Sequence, residues 1–248
     1  MDLPTSFLGW VSLIWENYSG MFLYGTLITL VIAISGTILG SLIGFVVGIV
    51  QGIPVESGSS TLRRVVVKIL NIIISIYVEI FRGTPMMVQA VVVFYGSMQL
   101  FNLDMPPLAA GILVLSLNTG AYFAESVRGA ITGIDPGQTE GAKAIGMTHF
   151  QTMLYVIIPQ AFRTLIPQIG NAFVSAIKDT SVLNVITVSE LYFAGRTACG
   201  VYFRYFETYF IIALIYLILT FVMSRLLKLL EKRMDGSRNY ELLEEGEV

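Results

Sequence analysis

The sequence predicts an all-α bundle of helices that span a membrane. Hydrophobic residues make up 55% of the chain and charged residues only 13%, and the mean hydropathy is +0.75. This composition lies outside the usual range of soluble domains and is typical of a chain whose solvent is a lipid bilayer. Apolar segments long enough to cross the hydrocarbon core as helices occur at residues 21–50, 65–100, 107–127, 165–186 and 205–230. We therefore expect one polytopic domain with about five transmembrane helices.

The two ends of the chain differ from this membrane domain, which we place at residues 21–230. Residues 1–20 contain no Lys or Arg and so lack the basic start of a cleaved signal peptide. We expect them to form an interfacial segment, anchored in the membrane surface by Trp10, Trp15 and Tyr18. Residues 231–248 are rich in charge, which predicts a tail in the cytoplasm.

The composition also argues against several functions. The single cysteine, Cys199, cannot form an internal disulfide, and no His/Cys cluster has the spacing of a metal site. A Gly-rich phosphate loop followed by Lys and Ser or Thr does not occur, so any nucleotide must bind another subunit. The formal net charge of −2 gives no reason to expect a nucleic-acid partner. We expect no metal, no cofactor and no covalent chemistry in this chain.

The first apolar segment carries glycine at every fourth position, at Gly36, Gly40, Gly44 and Gly48. This spacing places the four residues on one helix face, where small side chains let two helices approach closely. Packing against a helix of the same bundle is favoured over a dedicated dimerisation seam.

The second apolar segment is too long for a single ordinary span. Its 36 residues form about 54 Å of helix, well beyond the hydrocarbon core. Gly83 and Pro85 interrupt helical hydrogen bonding within it. The segment is either two short spans or one span that is broken inside the membrane.

The distribution of basic residues favours a single crossing. Lys and Arg concentrate after the first apolar segment, around a central polar stretch and near the C-terminus, at Arg63, Arg64, Lys68, Arg128, Lys143, Arg163, Arg225, Lys228, Lys232, Arg233 and Arg238. One crossing places all three basic regions on one side, as the positive-inside rule prefers. We therefore expect the N-terminus outside and the C-terminus in the cytoplasm. Arg196 and Arg204 fall on the outer side in this arrangement and count against it.

A polar stretch at about residues 129–164 separates two of the apolar segments. Asp135 followed by Pro136 is suited to opening a helix, as N-cap and first helical residue. Apolar residues then recur at helical spacing through residues 138–156, with Gly146 as an interruption. We expect a short amphipathic helix, a turn and another helix, whose apolar face is covered either by membrane headgroups or by a partner protein.

The same stretch contains a spaced set of residues, namely Glu140, Gly141, Ala142, Gly146, Val156, Ile158 and Pro159. This set resembles the cytoplasmic signature loop of permease subunits in ATP-binding cassette importers, which reads Glu-Ala-Ala, three residues, Gly, nine residues, then Ile, any residue, Leu and Pro. Gly141, Val156 and Ile158 depart from that pattern. Residues 79–89, 116–131 and 176–183 further resemble the polar amino acid branch of the family, so the resemblance covers about residues 69–230.

The resemblance implies a type I importer permease in the bacterial cytoplasmic membrane. Its substrate is then a polar amino acid of the arginine, glutamine or histidine type, moved by alternating access. It implies three kinds of protein partner besides membrane lipid: a pair of cytoplasmic ATPases that bind ATP and magnesium, a second permease subunit, identical or related, and an extracytoplasmic binding protein. The residues that match its ATPase-coupling positions are Glu140, Gly141, Ala142 and Gly146. The alternative for the loop helix is packing on its own bundle alone.

Ionisable residues within the apolar segments are candidates for the transport pathway, because charges at that depth need partners or a wet cavity. Glu79 and Asp179 can accept hydrogen bonds from the ammonium group of an amino acid. Arg82, or backbone N–H groups freed near Thr84, can bind its carboxylate. In the alternative interpretation Glu79 pairs with Arg82, and Lys178 pairs with Asp179, to hold the bundle together.

Polar residues near these charges have two possible roles. Asn118 shares a helix face with Tyr122 and Glu125 and either lines the same cavity or bridges two helices. The other polar residues bind substrate or satisfy the backbone of a broken helix, the latter being common in membrane bundles; they are Thr84, Gln89, Thr180 and Ser181.

Two rival functions come from other classes. An ion-gradient-driven secondary transporter or channel predicts transport without an ATPase and internal repeats, and no such repeats are found. A structural or signalling subunit would tolerate neutralisation of Glu79 and Asp179. The sequence leaves the amino acid side chain open: a cationic substrate fits the carboxylates, and glutamine or histidine is equally compatible.

Overall fold

The computed structural model describes residues 3–52 and 60–234, and all regular structure in these ranges is helical. The helices are α1 (Phe7–Gln51), α2 (Thr61–Gly83), α3 (Met86–Phe101), α4 (Pro107–Thr132), α5 (Pro136–Ala144), α6 (His149–Thr152), α7 (Ile158–Asp179), α8 (Leu191–Tyr202) and α9 (Tyr205–Met234). A π-helical segment, Met153–Ile157, joins α6 to α7, and a 3₁₀ segment, Thr180–Ile186, follows α7. The predicted all-α fold is confirmed.

Five of the described helices, α1, α2, α4, α7 and α9, have 22 residues or more, which is enough to cross a hydrocarbon core. By length and composition together, three described helices qualify as spans: Phe7–Gln51, Pro107–Thr132 and Tyr205–Arg233. Helices α2 and α7 are long enough but carry the charged residues that the sequence analysis singled out. Apolar side chains on the outer surface, such as Leu42, Val46 and Leu217, are more than half exposed and suit contact with lipid.

Helix α1 runs without a break through the boundary expected at residue 20. Ser6 is its N-cap and accepts a hydrogen bond from the N–H of Gly9 (3.2 Å), and the helix then continues for 45 residues. Trp10 is only 4% exposed and lies under the guanidinium of Arg204, 4.4 Å from the ring centroid. Residues 7–20 thus form the first turns of α1, and residues that follow α8 cover this part of the helix. Its location at a membrane interface stays a prediction.

The glycine stripe of α1 packs against α4 of the same chain. A Cβ atom placed on Gly44 would lie 2.7 Å from the carbonyl oxygen of Gly120, and one on Gly36 would lie 2.5 Å from the side chain of Leu115. Gly40 and Gly48 face α4 in the same way. The two backbones thus approach more closely than any side chain on this face allows, which confirms packing within the bundle.

The second apolar segment is broken at Thr84 and Pro85, between the end of α2 at Gly83 and the start of α3. Pro85 precedes the first turn of α3 with an extended backbone (φ −64°, ψ 136°). The predicted interruption is confirmed, and a single crossing by this segment stays a prediction from the charge pattern.

The core follows α1 from end to end. Ile14 and Phe22 pack with α8 and α9, Ile32 packs with α4, α7 and the 3₁₀ segment, and Phe45 and Ile49 pack beside α4 and α7. Of the tail expected at residues 231–248, residues 231–234 continue α9, and the rest lies outside the described residues. Helix α1 thus packs along its length against α4, α7, α8 and α9.

Replacing Gly44 with Ala is expected to destabilise the protein, because the new Cβ atom forces the backbones of α1 and α4 apart at a cost of about 1–3 kcal/mol. Gly20, on the same helix, is the matched control, because no heavy atom lies within 4 Å of the position that its new Cβ atom would take. Gly20→Ala should therefore leave stability unchanged or raise it by up to about 1 kcal/mol through helix propensity. Thermal unfolding of both variants in detergent measures the difference, and equal melting temperatures would contradict the close packing.

Candidate functional site

A cavity of about 750 Å³, here called the central cavity, lies where the α2–α3 break meets α4 and α7. Its wall combines the residues of the break with one face of α4 and one face of α7: Thr84, Pro85, Met86, Met87, Asn118, Thr119, Tyr122, Phe123, Ser126, Gln168, Ala172, Ser175, Asp179 and Val182. Three of the predicted substrate-binding residues, Thr84, Asn118 and Asp179, are brought together here. The volume is sufficient for a small polar solute with water.

The break in the cavity wall is held by two carboxamide side chains. The buried Gln89 donates from Nε2 to the carbonyl oxygens of Phe81 and Thr84, both at 2.9 Å. Asn118 of α4 donates from Nδ2 to Gln89 Oε1 (3.0 Å) and to the carbonyl oxygen of Phe81 (3.2 Å). Carbonyl groups that the break deprives of helical partners are thereby satisfied. Gln89 thus satisfies the broken backbone, and Asn118 bridges α4 to the break while it also lines the central cavity; substrate binding by either residue stays a prediction.

Asp179 is the one formally charged residue among the described residues that line the central cavity. It ends α7, and the neighbouring Lys178 lines a different cavity, between α7 and α9. Consecutive helical residues point about 100° apart, so the two side chains diverge. The Lys178–Asp179 pair considered from sequence is not among the ion pairs within 4.0 Å in residues 3–52 and 60–234. The Asp179 carboxylate is therefore left facing the cavity.

Thr180 does not line the central cavity. It is fully buried in the 3₁₀ segment, and its hydroxyl donates to the carbonyl oxygen of Ile177 at 2.9 Å. In the described geometry the Thr180 hydroxyl therefore makes a backbone contact, and the substrate role expected for this residue stays a prediction. Ser181 donates in the same way to the carbonyl oxygen of Lys178 (2.8 Å).

Glu79 and Arg82 line a second cavity of about 430 Å³, here called the charged cavity, together with Glu125 and Arg128. Arg82 Nη1 lies 3.8 Å from Glu125 Oε2, and Arg128 also binds Glu125. The Glu79–Arg82 pair considered from sequence is not observed within 4.0 Å in the described part of the chain, because Arg82 reaches across to α4 instead. The guanidinium of Arg82 lies 5.5 Å from the ring centroid of Tyr122, which also lines the central cavity. Tyr122 is therefore in contact with a residue of the charged cavity while it lines the central cavity.

Glu190, which no sequence pattern singled out, is completely buried at the start of α8. Its carboxylate accepts hydrogen bonds from the N–H groups of Tyr192 (2.9 Å) and Phe193 (2.8 Å) and from the hydroxyl of Tyr216 on α9 (3.0 Å). The chain at Glu190 also lies directly against Gly25 of α1. A carboxylate just before an apolar helix is an N-cap signal that could have found this residue, but Glu190 falls between two apolar segments and so outside the set of intramembrane charges.

The polar stretch forms the helix, turn and helix that its pattern predicts. Asp135 caps α5 by accepting a hydrogen bond from the N–H of Gly137 (2.7 Å), and Pro136 is the first helical residue. Gly146 ends the helix with φ +85°, its N–H donating to Lys143 O (2.9 Å) while the N–H of Met147 donates to Ala142 O (3.1 Å). This pair of bonds is a Schellman motif, whose left-handed position favours glycine.

The two faces of this loop differ. Ala142 is buried against the protein, whereas Glu140, Gly141 and Gly146 are exposed. Large apolar side chains also point outward: Ile145 is 77% exposed and Phe150 is 72% exposed. The apolar surface expected on this helix pair is therefore present and uncovered by the described part of the chain.

The loop is joined to the central cavity through α7. Gln160, in the first turn of α7, donates to Gln138 Oε1 on α5 (3.3 Å) and to the carbonyl oxygen of Val156 (2.8 Å). Pro159 has no N–H group, so it cannot donate the helical hydrogen bond to the carbonyl group four residues earlier. The π-helical segment ends just before α7, two residues from this proline. Helix α7 then continues to Asp179, so one element connects α5 to the cavity wall.

Replacing Glu190 with Ala should destabilise the protein, because two N–H groups of α8 and the hydroxyl of Tyr216 lose their acceptor. The expected loss is about 3 kcal/mol, from a helix cap and buried groups left unpaired. Glu16→Ala, on the exposed surface of α1, is the matched control and should change stability by less than about 1 kcal/mol. Thermal unfolding measures both variants, and an equally small effect at Glu190 contradicts this assignment.

Comparison with known proteins agrees with the geometry. Residues 44–236 match the family described as binding-protein-dependent transport system inner membrane component. The glutamine transport system permease protein of Escherichia coli is 38% identical over 167 residues, covering 67% of this chain and 76% of that protein. A probable glutamine ABC transporter permease protein of Bacillus subtilis is 32% identical over 230 residues, covering 92% of this chain and 99% of the relative.

Solved structures show the same architecture. The crystal structure of an amino acid ABC transporter with histidines superposes with a TM-score of 0.78 at 36% sequence identity, covering 93% of this chain and 99% of that chain. A methionine ABC transporter in an inward-facing conformation, at 20% identity and a TM-score of 0.68, shares the fold. The expected type I importer permease fold is confirmed. The helical bundle with an internal cavity and an exposed loop agrees with these matches. They show that the chain belongs to the family of binding-protein-dependent transport system inner membrane components.

Proposed function

We propose that this chain is the membrane-spanning subunit of an ATP-driven importer that carries a polar amino acid, of the arginine, glutamine or histidine type, by alternating access. The observation that carries the proposal is the path from α5 through α7 to Asp179, which joins an exposed loop to the central cavity. The amino acid permeases among the relatives support the substrate class. An ion-gradient-driven carrier is not favoured, because the family works with a binding protein.

The central cavity offers complementary groups for the two charges of an amino acid. Asp179 supplies a carboxylate for the ammonium group. Met86 and Met87, which line the cavity, begin α3, and no side chain caps this helix start. Free N–H groups and the positive end of the helix dipole favour a carboxylate there. The substrate side chain then extends past Tyr122 toward Glu79 and Arg82 in the charged cavity.

The exposed loop is the proposed docking site for a cytoplasmic ATPase. Ile145 and Phe150 would enter an apolar groove, and Glu140 would meet basic or hydrogen-bonding groups at its edge. ATP and magnesium bind to the paired ATPases, and this chain contributes no covalent chemistry. A second permease subunit completes the pathway, and an extracytoplasmic binding protein delivers the substrate. In this arrangement the N-terminus lies outside and the C-terminus inside.

Reconstitution with the candidate ATPase and binding protein tests the proposal. Uptake of radiolabelled amino acids into proteoliposomes should require ATP inside, and Glu140→Arg should abolish both uptake and ATPase association. Uptake that persists without ATP and is insensitive to the substitution would overturn the proposal in favour of an ion-driven carrier.

Asp179→Asn should weaken substrate recognition without disturbing the ATPase. Loss of a charge-assisted hydrogen bond predicts a rise in the KM for uptake of about 10- to 100-fold. Asp104→Asn, in an exposed connection outside the described cavities, is the matched control and should leave KM unchanged. An unchanged KM for Asp179→Asn contradicts the assigned role.

Gly146→Ala should impair transport, because a Cβ atom in the left-handed region costs about 1–2 kcal/mol and distorts the turn that presents the loop. Gly141→Ala is the matched control: it lies in helix α5, has open space around its Cβ position and restores the family's residue. ATP-dependent uptake should fall for the first variant and stay at the wild-type rate for the second. Equal uptake by the two variants argues against a shaped docking turn.

A further inference from the structure

A third cavity, of about 320 Å³, lies between α7 and α9 and carries a concentration of positive charge. Lys178, Arg225 and Lys228 line it, and the lining residues within the described ranges include no Asp or Glu. This cavity, here called the basic cavity, is separate from the central and charged cavities.

The three cations have no carboxylate partner within 4.0 Å in residues 3–52 and 60–234. Arg225 lies over the ring of Phe221, 5.1 Å from its centroid, which leaves the charge itself uncompensated. The two acids nearest in sequence form no ion pair with these cations within 4.0 Å in the described ranges: Asp179 lines the central cavity, and Glu231 Oε1 lies beside Gly170 of α7. Three like charges beside the hydrocarbon region repel one another unless an anion joins them.

The other residues that line the basic cavity have apolar side chains or side chains with hydroxyl groups. Val174, Leu217 and Phe221 provide apolar surface, and Ser224 provides a hydroxyl group beside the cations. Leu217 and Phe221 are 62% and 58% exposed, so no other described part of the chain covers this side of α9. An occupant therefore needs an anionic group and an apolar part adjacent to it.

We propose that the basic cavity binds the phosphate headgroup of an anionic phospholipid, whose acyl chains lie along Leu217 and Phe221. Basic cavities between transmembrane helices are suited to such headgroups. Inorganic phosphate satisfies the charges but leaves the apolar wall uncovered, so the phospholipid fits both features. Because Lys178 adjoins Asp179, the bound lipid ties the cavity end of α7 to α9 and thereby supports the central cavity.

Lipid binding to the full chain, purified in detergent with its partner subunits, tests this proposal. Phosphatidylglycerol should raise the melting temperature of the wild type more than phosphatidylcholine at the same concentration. The cations are removed stepwise, first by Lys228→Gln and then by adding Lys178→Gln and Arg225→Gln. The affinity for phosphatidylglycerol should fall by roughly fivefold for each cation removed. The double variant Lys178→Arg with Lys228→Arg keeps the charges and should keep the preference, which separates a binding effect from a folding defect.

Lys232→Gln with Arg233→Gln is the matched control, because these cations lie on the same helix but do not line the cavity. This variant should retain the wild-type affinity for phosphatidylglycerol. Three results would overturn the proposal: no preference for phosphatidylglycerol in the wild type, an equal loss of affinity in the control, or inorganic phosphate at matched ionic strength stabilising as strongly as the lipid. None of these results depends on the identity of the transported amino acid.

Discussion

The structure depends on satisfying the backbone of a helix that is broken inside a membrane bundle. Lipid offers no hydrogen bonds, so the carbonyl groups freed between α2 and α3 need partners within the protein. Gln89 and Asn118 supply them, and Asn118 can do so only while α4 stays close to the break. The glycine stripe of α1 holds α4 close in turn, because a Cβ atom at any of its four positions would clash with α4. The packing of α1 and α4 is thus a condition for the shape of the central cavity.

Helix α7 relates that cavity to the outward-facing loop. It begins beside α5, where Gln138 meets Gln160, and ends at Asp179 in the cavity wall. A displacement of α5 by a bound partner therefore changes the cavity, provided that α7 moves as one body. Glu190 supports the opposite end of the bundle by holding α8 and α9 together through its cap and Tyr216. In the proposed mechanism the loop moves with the ATPase, and the α1–α4 pair serves as the fixed frame.

Several features of this arrangement were predictable from the sequence, because they depend only on residues that are close together along the chain. The Asp135–Pro136 start, the Gly146 turn, the Gly83–Pro85 break and the within-bundle role of the glycine stripe all follow from backbone geometry and spacing. Side-chain partners were harder to predict, since they depend on which helices meet: Arg82 pairs with Glu125 of α4 instead of Glu79, and Thr180 turns inward. The continuity of α1 was missed because aromatic anchors indicate an interface whether or not other helices cover them.

The distance between spin labels at Met87 of α3 and Ser175 of α7, which both line the central cavity, tests the central claim most directly. Measured by pulsed electron resonance in the assembled transporter on a Cys199→Ala background, it should change between the nucleotide-free and ATP-trapped states. A second pair, Lys143 with Ser175, should keep its distance, since α5 and α7 move together. A constant Met87–Ser175 distance, or a Lys143–Ser175 distance that changes instead, would contradict the role of α7 as the link between the loop and the cavity.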